Sequence, residues 1–184
     1  MNQTKERILK AASELFAKGS YEGVSIREIA RKADVNSSLI SYYFGGKENL
    51  YKAVLSQHFD ELLEYVSRMS TSDELAFIKE FMKNHIRVMR KRGKFAAIVA
   101  FRELGGEGRF GREFMELFLK RIAERLCGVI ESARAKGLIR DLPTEVVMHF
   151  LIHVDTLFAL RFPEMDEETA SDMAFELFIR GAGA

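Results

Sequence analysis

Ile8, Ala11, Ala12, Leu15 and Phe16 recur at the three- and four-residue spacing of a single helix face. Almost every later segment keeps that period, and the first breaks in it fall very close together. Gly19 stops the first helix. Ser25-Ile26-Arg27-Glu28 then has the form of a capping box, with Ile26, Ile29 and Ala30 on the apolar side of a short helix ending near Ala33. Asp34-Val35-Asn36 is the next break. Aspartate tolerates a left-handed turn better than most residues, and Asn36 is a good N-cap. A third short helix runs from Ser37 to Phe44 and ends at Gly45-Gly46.

The same reading carries on along the chain. A helix from Lys47 to about Met69 has Leu50, Val54, Leu62, Leu63 and Val66 on its apolar side. Ser72 caps another that reaches Arg92, and Lys94 to Leu104 is the next. Gly105-Gly106-Glu107-Gly108 is a loop, and Phe110 to Lys136 is a long helix closed by Gly137. Pro143 to Arg161 and Glu167 to Arg180 complete the set, Pro143 standing near a first turn where a missing N–H matters least. No segment alternates convincingly as a strand. The expected fold is all-α with about nine helices, divided into a head over 1–46 with three short helical segments and a helical body over 47–184.

The 184 residues suffice for a small domain plus a medium one, and two prolines with no tryptophan suit helices. Residues 1–55 carry nine Lys/Arg against six Asp/Glu, and 56–184 carry nineteen against twenty-one. A mildly basic head on a mildly acidic body suits a protein that touches DNA with one end. Cys127 stands alone, so no intramolecular disulfide forms, in keeping with a reducing cytoplasm. Met1 to Arg7 is polar, unlike a signal-peptide core, and the longest apolar run, Phe95 to Phe101, is too short to span a membrane.

Two short helices with a tight turn, braced by a first helix, form a helix-turn-helix. Val35, Ile40 and Phe44 are spaced to pack against Ile26, Ile29 and Leu15, which leaves Ser37, Ser38, Ser41 and Tyr42 facing out. Hydroxyl groups on such a helix can reach phosphates and base edges in a major groove.

Ile8 to Phe16, Gly23-Val24-Ser25-Ile26-Arg27-Glu28-Ile29-Ala30, Ala33-Asp34-Val35-Asn36 and Tyr42-Tyr43-Phe44-Gly45-Gly46-Lys47-Glu48-Asn49-Leu50 together resemble the DNA-binding signature of the TetR/AcrR family of transcriptional regulators. The resemblance covers about residues 5–55; beyond them the chain matches in length and helical pattern. It implies that Arg27 reaches phosphate or a guanine edge, that Ser37, Ser38, Leu39, Ser41 and Tyr43 face or flank the groove, and that Tyr42 and Lys47 hold backbone phosphates. Asp34 stands where the family often has glycine, Leu39 where it has threonine or a small residue, Ser41 where it has tyrosine and Gly46 where it has serine. The recognition helix carries no Lys or Arg, so backbone grip falls to Arg27, Lys47 and residues such as Lys5.

The resemblance also makes the head over 1–46 a helix-turn-helix domain and the body over 47–184 a ligand-binding and dimerisation domain. It implies a homodimer on a palindromic operator and a small-molecule effector, largely apolar, in the second domain. Phe150, Leu151, Val154, Phe158, Phe175 and Phe178 are candidates for the dimer interface and equally for the subunit's own core. Phe81, His85, Met89, Phe101, Arg102, Phe118 and His153 are candidates to line a ligand pocket, though such spacings also serve simple packing. His149 and His153 sit one turn apart without a recognisable third ligand, so no metal is expected, and nothing calls for a cofactor. Cys127 reads as an inert small residue. No nucleophile, base and acid are grouped as an enzyme needs. The expected function is a regulator, a repressor released by its ligand; the alternative is a DNA-binding accessory protein that senses nothing.

Overall fold

A computed structural model of the protein describes residues 3–70, 73–92, 98–99, 102–103, 110, 113 and 120–183. Among them are eight helices: α1 (Gln3–Lys18), α2 (Ile26–Ala33), α3 (Ser38–Phe44), α4 (Lys47–Arg68), α5 (Glu74–Arg92), α6 (Lys120–Ala135), α7 (Thr144–Arg161) and α8 (Glu167–Ala182). The fold is all-α, with one isolated bridge, Ile139 to Gly183, among the described residues. Most of the helix expected over 94–104, the loop over 105–108 and the start of the helix expected over 110–136 lie outside the described residues.

By packing, the chain forms two units. Met1–Phe59 joins with Arg92–Leu117, and Asp60–Lys91 joins with Phe118–Ala184. The expected border after residue 46 falls at the start of α4, whereas the packing divides α4 itself, beyond Phe59.

In the first unit, Ile8, Ala12, Phe16, Ile29, Ile40, Leu50 and Val54 have no solvent exposure. Each large apolar side chain so buried stabilises by roughly 1.5–3 kcal/mol before entropy is counted. They come from α1, α2, α3 and the first half of α4, so α2 and α3, too short to stand alone, share one core with their longer neighbours. In the second unit, α5 contributes Phe77, Ile78, Phe81, Met82 and Met89, and α7 and α8 contribute Leu151 and Phe178. The α7 and α8 helices close tightly at Gly181, where a Cβ would lie 2.7 Å from the ring of Phe150.

The helix starts follow local chemistry. Ser72, expected to cap α5, lies outside the described residues; Asp73 caps it, its Oδ1 accepting from Ala76 N–H at 3.0 Å. Asp166 caps α8, accepting from Thr169 N–H at 2.9 Å and Thr169 Oγ1–H at 2.7 Å, which holds its carboxyl below the usual range. Glu74 in the first turn of α5 is bonded by Lys136 Nζ at 2.6 Å and Ser132 Oγ–H at 2.7 Å, and its pKa falls to about 2. No helix among the described residues is long and apolar enough to cross a membrane.

Candidate nucleic-acid interface

The head is built on α1. Ser25 Oγ accepts from Glu28 N–H at 3.2 Å and Glu28 Oε2 accepts from Ser25 N–H at 2.8 Å, so the expected capping box is present. These bonds hold the Glu28 carboxyl below its ordinary value. At the other end of α2, Asp34 adopts a left-handed conformation, φ 51° and ψ 56°, as its residue type allows. Arg7 of α1 secures that turn, donating from Nη2 to Ala33 O at 2.6 Å and Asp34 O at 2.7 Å, with Asp34 Oδ2 at 3.1 Å. A cation at the last carbonyls of a helix also meets its negative dipole end. Lys32 bridges to Glu14 at 2.8 Å and ties α2 to α1 a second time.

The next helix starts one residue later than its sequence suggests: its N-cap is Ser37, which makes no side-chain cap bond, and Asn36 stands just before it. Asn36 Oδ1 accepts from Ser38 N–H at 2.9 Å and from Ser38 Oγ–H at 2.9 Å. Ile40 and Phe44 turn inward and are buried; Val35, Ile26 and Leu15 are half-buried. Gly45 ends α3 at φ 73°, a left-handed position that glycine takes without strain.

This packing leaves a defined outer face. Ser37, Ser38 and Ser41 are exposed, Tyr42 is 79% exposed, and Leu39 and Tyr43 are half-buried at its edge. The Tyr42 and Tyr43 rings meet edge-on at 5.0 Å. Arg27, the second residue of α2, is exposed. Lys47 lies 4.5 Å over the Tyr21 ring and donates weakly to Glu22 O at 3.4 Å. Lys5 lies 5.7 Å over the Phe44 ring. The face is therefore an uncharged hydroxyl and aromatic surface with cations on its flanks, chemistry that suits a groove wall between two phosphate strands. Arg7 was not foreseen as part of this unit. Its partners stand 26 and 27 positions away, beyond any local pattern.

The expected ligand-lining residues separate. Phe81, His85 and Met89 share one face of α5 and are buried. His85 Nδ1 lies 2.9 Å from Oδ2 of Asp155 on α7. Asp155 has no exposure, and its Oδ1 has no hydrogen-bond partner among the described residues. Burial pushes its carboxyl up, and His85 pulls it partly back. Phe101 and Phe118 lie outside the described residues. Arg102 does not line this cluster: it belongs to the first unit, its guanidinium held by three backbone carbonyls. His153 does not line it either, because it faces solvent on α7, its Nδ1–H donating to His149 O at 2.6 Å. An open groove of about 620 Å³ that sequence reasoning missed lies elsewhere in the second unit, with Asp60 and Glu64 of α4 and Arg121 and Arg125 of α6 among its walls.

The dimer candidates also divide. Leu151, Val154, Phe158 and Phe178 are buried within their own unit and are not available to a partner. Phe175 is half-buried and Phe150 is exposed. The apolar residues that do face out are Val146, Phe150 and Leu157 of α7 with Met173 and Leu177 of α8. Cys127 is half-buried beside Met148, with burial pushing its thiol up and so away from reactivity.

A three-helix head of this geometry, with an exposed recognition helix, defines a helix-turn-helix DNA-binding protein. Residues 8–54 match the family of bacterial regulatory proteins called the tetR family. The chain is 32% identical over 176 residues to the HTH-type transcriptional regulator RutR of Escherichia coli K12, covering 95% of this chain and 82% of RutR. It is 30% identical over 146 residues to the HTH-type transcriptional repressor NicS of Pseudomonas putida KT2440, covering 76% of this chain and 68% of NicS. The crystal structure of AibR in complex with isovaleryl coenzyme A and operator DNA shares the fold, with a TM-score of 0.74 at 20% identity over 95% of this chain and 97% of that one. The chain belongs to the TetR family: it is a DNA-binding transcriptional regulator, not an enzyme.

Proposed function

We propose that the protein is a repressor that binds a palindromic operator as a homodimer in the cytoplasm and is released by a small-molecule effector held in its second unit. The observation that carries the reading is the outer face of the head, where Ser37, Ser38, Ser41 and Tyr42 are exposed on or beside α3 with Arg27 and Lys47 alongside. Tyr42 and Lys47 hold phosphates, Arg27 reaches phosphate or a guanine edge, and Leu39, half-buried, offers apolar contact to a thymine methyl. Lys47 leaves the Tyr21 ring to do so.

Dimerisation is supported by the outward apolar residues of α7 and α8, which form one side of each helix. Effector binding is supported by Asp155: a fully buried carboxyl oxygen without a partner among the described residues is costly unless something else supplies one. NicS is itself named a repressor, and the AibR structure holds both an acyl coenzyme A and operator DNA. The effector acts by preferring a dimer whose head spacing misfits the operator, a difference typically worth ~1–3 kcal/mol.

The test is selection of bound duplexes from a random pool, followed by native mass spectrometry of the purified protein. Inverted half-sites about one helical turn apart and a dimer mass support the reading. A single unrepeated site bound by a monomer overturns the dimer. Affinity that responds to no co-purified or added compound leaves the accessory DNA-binding reading instead.

A further inference from the structure

The second segment of the first unit reaches the head from more than eighty residues away. Arg102 and Glu103 are adjacent helical residues. Arg102 donates from Nη1 to Phe16 O at 3.0 Å and Gly19 O at 2.6 Å, and from Nη2 to Ala17 O at 3.0 Å. Phe16 and Ala17 lie in the last turn of α1, where carbonyls have no intrahelical donor and a cation is favoured. Glu103 is 1% exposed. Its Oε1 accepts from the hydroxyl of Tyr51, in the second turn of α4, at 2.5 Å, and its Oε2 accepts from Phe110 N–H at 2.9 Å. Both carboxylate oxygens are thus satisfied in a buried site, the arrangement in which a polar group fixes geometry rather than loosening it. The Phe16 and Tyr51 rings pack edge-on at 4.8 Å beside this network, and Tyr21 meets Phe110 edge-on at 5.3 Å.

Between these two anchors, α3 passes into α4 through Gly45 and Gly46, whose φ angles are 73° and 135°. Glycines restrict that passage less than other residues would. We propose that Arg102 and Glu103 are positioning residues for DNA recognition: Arg102 clamps the end of α1, Glu103 clamps Tyr51 of α4, and the pair sets one orientation of the recognition helix against α4. Neither touches DNA. A recognition helix held in one orientation before binding removes an ordering cost from the complex. This rests on the reading of the protein as a dimeric operator binder.

The experiment uses the full chain as Arg102→Met, Arg102→Lys and Tyr51→Phe, each with its active fraction set by stoichiometric titration. The probes are the duplex selected by the unaltered protein and versions with one base pair added or removed between half-sites. Arg102→Met is expected to weaken binding to the selected duplex about tenfold or more and to narrow the preference for its spacing. Arg102→Lys recovers part of both. Tyr51→Phe, which keeps the ring and removes the donor, shifts both in the same direction by less, and it carries the test if Arg102→Met fails to fold. Unchanged spacing preference in these variants, with or without a loss of thermal stability, overturns the proposal and makes the pair a structural contact only. If the unaltered protein itself shows no spacing preference, the dimeric operator reading has failed, and the proposal falls with it.

Discussion

Asp155 is the residue whose setting is least comfortable. It is fully buried against His85, with one oxygen unpartnered among the described residues, and burial raises its carboxyl. A carboxyl raised in the folded state favours folding while protonated, so that stability is complete below the unfolded value and is lost as pH rises through the folded one. Asp155→Asn is expected to remove this slope, so thermal midpoints diverge in the variant's favour as pH rises from about 4. Parallel curves would contradict the burial. Glu74 is the opposite case. Its carboxyl is held at about 2 by Lys136 and Ser132, so its contribution is present above the unfolded value and is lost as pH falls toward 2. Glu74→Gln is expected to flatten the acid limb of the stability profile over that window, checked by denaturation at stepped pH.

At the scale of elements, local chemistry decides where helices begin and end. The Ser25 box and the left-handed Asp34 act over a few neighbouring positions, and for that reason each was legible in the sequence, whereas the N-cap of α3 falls on Ser37 and not on Asn36. Ser25→Ala should lower the stability of the head by about 1 kcal/mol, measured by chemical denaturation, while α5 to α8 keep their helical signal. The contacts that bind elements together were not legible. Arg7 finds α2 across 26 positions and Arg102 finds α1 across 83 to 86, and no spacing rule reaches so far. Arg102 stands among apolar neighbours in the sequence and so read as a ligand group, when its partners are backbone carbonyls. The buried and outward sides of α7 were not legible for another reason. Apolar side chains surround most of α7, from Val146 and Phe150 on one side to Leu151, Val154 and Phe158 on the other. Periodicity alone then has no means of choosing which side meets the core.

At the scale of the whole molecule, the proposed function has two copies pairing. The outward Val146, Phe150 and Leu157 of α7 would be shared between protomers. Val146→Glu with Leu157→Glu is expected to give a monomer in sedimentation with unchanged helical content, since both side chains already face water. A dimer that survives both changes would move the interface elsewhere. The central claim, that the exposed side of α3 and the start of α4 grip DNA, has a more direct test. Tyr42 is 79% exposed and Lys47 is half-buried over Tyr21, so Tyr42→Ala with Lys47→Ala should leave the fold intact. Affinity for the selected duplex, measured at fixed salt, is expected to fall by about a hundredfold, with a shallower salt dependence from the lost cation. Unchanged affinity and salt slope in a folded double variant would contradict the account.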